Sequence, residues 1–155
     1  MVDSIEGAVG IYLASFVIAV ISGFFPLVNA EIYLVGLTMA SRVSWPSVIV
    51  LAILIACGQM VSHSLLFHGA RRVAKPGATR REEGRIARMR VRVASWGNKR
   101  FALLVSSAVL GLPPFFLTCL AAGALDISYK TFFSIGLAGR VVRFTGIAAI
   151  AVIAS

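Results

Sequence analysis

Acidic residues are scarce in this chain, with six Asp and Glu against fifteen Lys and Arg. Residues 7–40 hold a single charged side chain, Glu31, in an otherwise nearly all-apolar run. Cysteine is almost missing: Cys57 and Cys119 both sit in apolar stretches, which excludes a disulfide framework and reads as small buried side chains. Histidine occurs twice, His63 and His68, and neither has a Cys or carboxylate at ligand spacing, so no metal centre is expected. No His lies near an acid, and no Gly-rich phosphate loop precedes a Lys. The chain therefore reads as a non-enzyme without a cofactor. The first six residues carry Asp3 and Glu6 but no Lys or Arg, so the basic region of a removable signal peptide is missing and 7–25 is expected to be a retained helix.

What the chain does have is apolar surface. Of 155 residues, 59% are hydrophobic and 14% charged, with a mean hydropathy of +0.92. A soluble domain of that composition would aggregate. The expected fold class is all-α: one polytopic integral membrane domain over 1–155. Four apolar blocks appear, at 7–40, 47–70, 101–125 and 131–155. A plain span takes about 20 residues. Blocks 47–70 and 131–155 fit that and are expected to be spanning helices.

Between the second and third blocks lies a basic loop, 71–100, with eleven Lys and Arg against Glu82 and Glu83. Its balance of +9 equals the formal net charge of the whole chain. The positive-inside rule puts this loop in the cytoplasm. Such residues set topology and attract anionic headgroups at about 1 kcal/mol each. That accounts for the charge better than nucleic acid does, so no nucleic-acid partner is expected. Charge and apolar residues alternate from Arg88 to Val93, which suits a stretch lying on the membrane surface.

The first and third blocks are awkward lengths, and each is broken by proline: Pro26 in one, Pro113 and Pro114 in the other. A re-entrant hairpin fits each, at 24–45 after helix 7–25, and within 101–128. At an offset of 88 residues, Gly23 matches Gly111, Pro26 matches Pro114, Leu37 matches Leu125, Arg42 matches Lys130 and Gly58 matches Gly146. One span per unit, with the loop between, would invert the second unit. Inverted repeats with broken helices at mid-membrane are a transporter architecture. Arg42 is then expected outside and Lys130 inside, with Asp126 and Lys130 interfacial.

"FPLVNAEIYLVGLTMA" resembles the first hairpin of the DedA/VTT-domain membrane proteins, where a Pro-rich turn carries a glutamate. "GLPPFFLTCLAAGALDISYKTFFSIGLAGRVVRF" resembles their second hairpin and the span after it. The matching features are the Pro113-Pro114 turn, Ala121-Ala122-Gly123, Phe132-Phe133 and the closing GRVVRF, 139–144. The likeness covers about two-thirds of the chain and is nearest the short branch of the family. One feature departs: larger members carry an arginine soon after the second Pro turn, where this chain reads Phe115-Phe116-Leu117, so that role does not transfer. The resemblance implies movement of anionic lipids between leaflets, undecaprenyl phosphate among them, with proton coupling, in the bacterial cytoplasmic (inner) membrane.

The buried charges carry the chemistry. Arg140 and Arg143 are three apart and share a helix face. Counting from Thr131, they lie about 13 and 18 Å into a hydrocarbon core of about 30 Å. Glu31 is the one acid available in the apolar interior, which leaves two arginines for one carboxylate. Either Glu31 clasps an arginine as an internal structural pair, or the surplus guanidinium receives a phosphate on its planar fork. We expect Arg143 to pair with Glu31 and Arg140 to be the freer cation. Asn29 is expected either to bind the headgroup or to satisfy backbone freed by the turn. Pro26, Pro113 and Pro114 mark the hairpin turns, with Gly123 permitting close packing. The expected partner is a membrane lipid with an anionic phosphate headgroup, and so small a chain is expected to need a second copy to enclose a path.

Overall fold

The computed structural model describes residues 2–25, 28–41, 44–74, 84, 87, 88, 91, 95, 99–125 and 127–154. Among these the chain is helical, with no strand. Six helices are complete: α1 (Val2–Phe24), α2 (Ala30–Ser41), α3 (Trp45–Val73), α4 (Lys99–Leu110), α5 (Phe115–Ala124) and α6 (Tyr129–Ala154). Two are long and apolar enough to cross a membrane, Trp45–Val73 and Tyr129–Ile153. They lie where the two unbroken apolar blocks were read.

Local chemistry explains the boundaries. Helix α1 stops one residue short of Phe25, which precedes Pro26 and is disfavoured in helical conformation for that reason. Pro26 itself, and Arg42 and Asp126 with it, lie outside the described residues. Helix α3 opens on Trp45-Pro46, where the proline's missing N–H would have had no helical acceptor anyway. It closes on Arg71 and Arg72, which suit the negative end of the helix dipole. Helix α4 ends at Gly111, whose φ of 78° is the left-handed cap conformation that glycine adopts without penalty. Helix α5 follows Pro114, and the Leu112–Pro113 peptide is cis.

The expected 71–100 loop is narrower than its charge implied. Its first residues finish α3 and its last, Lys99 and Arg100, begin α4. Gly84, Ala87, Arg88, Val91 and Ser95 are helical and exposed, at the spacing of one helix face. Arg and Ala are good helix formers, in keeping with helix at these positions. The remaining positions of that segment lie outside the described residues.

The chain divides into two compact units, 1–62 with 140–155, and 63–139. The two long helices contribute to both. In the first unit α1 and α3 meet at their backbones: a Cβ added to Gly58 would stand 2.7 Å from the Phe16 carbonyl oxygen and 2.8 Å from the Ala19 methyl. No side chain fits there. In the same unit Leu34, Val48, Leu51, Ile55 and Phe144 are fully buried. In the second unit Phe67 stacks on Phe132 at 4.7 Å and Phe132 on Phe115 at 5.8 Å, all three buried. Gly123 packs against the backbone of Phe67 and the methyl of Ala70, where a Cβ would collide with the Phe67 carbonyl. Large apolar side chains point outward all along the helices, Leu13, Ile32 and Ile153 among them at 63%, 71% and 81% exposure, a surface suited to lipid.

The repeat reads differently in three dimensions. Gly58 is a close-approach glycine, whereas its match Gly146 has nothing within 4 Å of an added Cβ. Gly111 turns the chain with positive φ, whereas its match Gly23 is helical and lies against Ser62. The matched glycines do different jobs.

Candidate functional site

The first unit gathers Glu31, Arg140 and Arg143. Glu31 stands in the first turn of α2. That turn forms because Asn29 caps it: the Glu31 backbone N–H donates to Asn29 Oδ1 at 2.9 Å, and the Tyr33 N–H donates to the Asn29 carbonyl at 3.2 Å. Of the two roles expected for Asn29, its carbonyl oxygens take up the backbone one. The cap also puts the Glu31 carboxylate at the positive end of a helix dipole. Tyr33, one turn on, ties α2 to α1 through a 2.9 Å hydrogen bond between its hydroxyl and that of Ser15.

Arg143 comes from α6. Its Nη2 lies 2.6 Å from Glu31 Oε1, and its Nε donates to the same oxygen at 2.7 Å. The side chains are 20% and 32% exposed, so the pair is sheltered without being sealed. Two nitrogens on one oxygen differ from the parallel fork in which each carboxylate oxygen takes its own N–H. The expected pairing of Arg143 with Glu31 is present.

Arg140, expected to be the freer cation of the two, stands one turn earlier on the half-buried face of α6. Its Nη1 donates to the side-chain oxygen of Gln59 on α3, and its guanidinium lies 5.9 Å from the centre of the Phe144 ring. Gln59 is 6% exposed, and its Nε2 donates to Ser22 Oγ at 2.8 Å. Ser22 Oγ donates in turn to the Ala19 carbonyl at 2.8 Å. The direction of this chain is forced. Arginine only donates, so the amide must offer its oxygen to Arg140 and its NH₂ to Ser22. Gln59 carries no formal charge, so this contact solvates the guanidinium without neutralising it. Sequence reasoning passed over Gln59, although it is the one glutamine in the chain and stands in an apolar span.

The second unit holds Pro113, Pro114 and Gly123. The polar groups of its proline turn are met by α4: Ser107 Oγ donates to the Pro113 carbonyl at 2.6 Å, and Ser106 Oγ to the Leu112 carbonyl at 3.1 Å. The Ser107 and Thr118 hydroxyls are 2.8 Å apart, joining α4 to α5. A ligand is not needed to satisfy those carbonyls. Cys119 is buried and Cys57 half-buried, and neither is in a disulfide.

What the arginine cluster offers chemically, among the described residues, is two guanidiniums one helical turn apart, the Glu31 carboxylate held at a helix N-terminus, and a buried neutral amide. Such a set is suited to an exchangeable anion. No protein-family model, curated protein or solved structure matches the chain, so its function is argued from this geometry and from the residues themselves.

Proposed function

We propose that this protein moves an anionic lipid, a polyprenyl phosphate or a phospholipid, between membrane leaflets in the manner of the DedA/VTT proteins it resembles. The observation that carries the reading is the make-up of the cluster. Two arginines stand one turn apart near the middle of α6, where Arg143 holds the Glu31 carboxylate and Arg140 donates to the neutral amide of Gln59. Permanent guanidinium charge at that depth is costly unless it serves an anion.

In the proposed cycle a phosphate monoanion takes Glu31's place on Arg143, and the released carboxylate takes up one proton from water. The charge of the cluster is conserved and one proton is bound per lipid phosphate. When the lipid leaves, the proton is lost and the Glu31–Arg143 pair re-forms. Helices α2 and α5, at about 18 and 15 Å long, are too short to cross a core of about 30 Å. In this reading they are the inner arms of two re-entrant hairpins, in inverted orientation, in a bacterial cytoplasmic membrane. A second copy of the chain completes the path.

A second reading has its own observation. Glu31 is capped by Asn29 and gripped by two nitrogens of Arg143, which is also what an internal clasp in a non-transporting assembly protein would look like. Leaflet exchange in vesicles separates the two. Vesicles reconstituted with the wild-type chain should exchange labelled polyprenyl phosphate or phosphatidylglycerol faster than phosphatidylcholine, and Arg140→Lys should slow that exchange without loss of folded protein. Equal rates with and without the protein, for every anionic lipid tried, would leave only the clasp.

A further inference from the structure

A second site, in the other unit, bears on a different ligand event. Between the start of α4 and the end of α5 lies a pocket of about 180 Å³ lined by Arg100, Leu103, Thr118, Ala121, Leu125 and Ile127. Its walls are almost wholly aliphatic. Thr118 is 9% exposed and spends its hydroxyl within the hairpin, on Ser107 and the Pro114 carbonyl. Arg100 is thus the one charged group among the described residues of the lining.

Arg100 is poorly served where it stands. Its Nε is buried and has no hydrogen-bond partner among the described residues. The guanidinium lies 4.8 Å from the centre of the neighbouring Phe101 ring, which orients it without accepting its N–H groups. With Lys99 it also puts two cations into the first turn of α4, which contains no acid. That is the positive end of the helix dipole, where a cation is disfavoured and an anion favoured. A buried donor left without an acceptor costs about 1–3 kcal/mol.

We propose that this pocket holds one anionic phospholipid, with its phosphate on Arg100 and the start of an acyl chain against Leu103, Ala121, Leu125 and Ile127. The volume equals that of about six water molecules, enough for a short length of chain and too little for a whole lipid. The rest of the lipid would stay in the bilayer. Charge complementarity at one end and an aliphatic trough at the other select an amphiphile over a free anion or a hydrocarbon. This retained lipid is distinct from the transported one, and the proposal stands whether or not the arginine cluster transports.

The test is lipid retention by the purified full chain in detergent micelles, counted by native mass spectrometry against added dioleoylphosphatidylglycerol, dioleoylphosphatidylcholine and inorganic phosphate. The wild type should keep one phosphatidylglycerol in preference to phosphatidylcholine. Arg100→Gln should cut that preference about five- to tenfold, the worth of one charged contact. Lys99→Gln, which changes the same helix turn but not the pocket lining, should leave it intact. Ala121→Phe should fill the trough and lower retention, with helix content by circular dichroism unchanged; this variant decides the matter if Arg100→Gln fails to fold. Retention unaffected by Arg100→Gln or by Ala121→Phe overturns the proposal. So does an equal loss with Lys99→Gln, which marks a diffuse surface attraction, or displacement of the lipid by inorganic phosphate, which marks a free-anion site.

Discussion

Arg143 grips one carboxylate oxygen of Glu31 from two of its nitrogens, at 2.6 and 2.7 Å. A pair built that way is asymmetric. The glutamate is further steadied by the N-terminus of α2, while the arginine depends on the glutamate for this contact. Removing either partner leaves the other sheltered charge without it, at a cost of about 1–3 kcal/mol for a site only partly out of water. Glu31→Gln and Arg143→Ala should both lower the thermal unfolding midpoint in detergent. The exchanged pair, Glu31→Arg with Arg143→Glu, should recover only part of that loss. An arginine in the first turn of α2 opposes the helix dipole that a glutamate there satisfies. Full recovery of stability and function together would favour the clasp.

Gln59 separates solvation of Arg140 from its neutralisation. Gln59→Leu removes an acceptor from Arg140 and a donor from Ser22, and should destabilise by about 1–3 kcal/mol. Gln59→Glu keeps the acceptor for Arg140 and adds a charge, and Ser22 turns its hydroxyl from the Ala19 carbonyl onto the new carboxylate. It should fold better than Gln59→Leu and yet lose leaflet exchange, because a fixed carboxylate then lies on Arg140. Folding and exchange measured on the same preparation check this, and exchange at the wild-type rate in Gln59→Glu would remove Arg140 from the path.

The glycines should sort by distance. Gly58→Val should abolish folded protein, since its Cβ would meet the Phe16 carbonyl and the Ala19 methyl. Gly146→Ala, at a helical position with open space around it, should be neutral or stabilising by up to about 1 kcal/mol. Yield by size-exclusion chromatography reads both, and equal loss at the two positions would contradict the packing described.

At Gly111 the obstacle is the backbone. Alanine there should cost about 1–2 kcal/mol for its left-handed conformation, and asparagine less. Unfolding midpoints of the two variants should fall in that order.

How much of this was legible in the sequence depends on what kind of physics each feature rests on. The long helices were legible because uninterrupted apolar length is itself the cause of a span. Glu31 and Arg143 were legible because ionised groups in an apolar run are expensive enough to demand each other. Gln59 was not, since a neutral amide is cheap to place and its partners are set by helix packing that no local pattern encodes. The same holds for Ser106 and Ser107, ordinary residues in an apolar helix until the turn brings the Leu112 and Pro113 carbonyls to them. The Arg100 pocket was hidden by the charge around it, because one arginine among eleven basic residues of the 71–100 segment gives no sign of which lines a pocket. The offset-88 matches show the reverse failing: a shared letter at Gly58 and Gly146 did not mean a shared role.

The Glu31–Arg143 contact joins residues 112 apart, whereas the serines that satisfy the α4–α5 turn reach only six residues along the chain. During synthesis these close on different clocks. The α4–α5 turn completes itself as soon as it emerges. Glu31 leaves the ribosome on the order of ten seconds before its arginine, at usual rates of elongation. For that interval the nascent chain holds an acid whose counter-ion does not yet exist. Helix α2 must wait where water reaches its carboxylate, and its final seating is an act of the finished chain. Ribosomes stalled between α2 and α6 should therefore yield a membrane-inserted intermediate in which a cysteine at position 31 still reacts with a water-soluble thiol reagent.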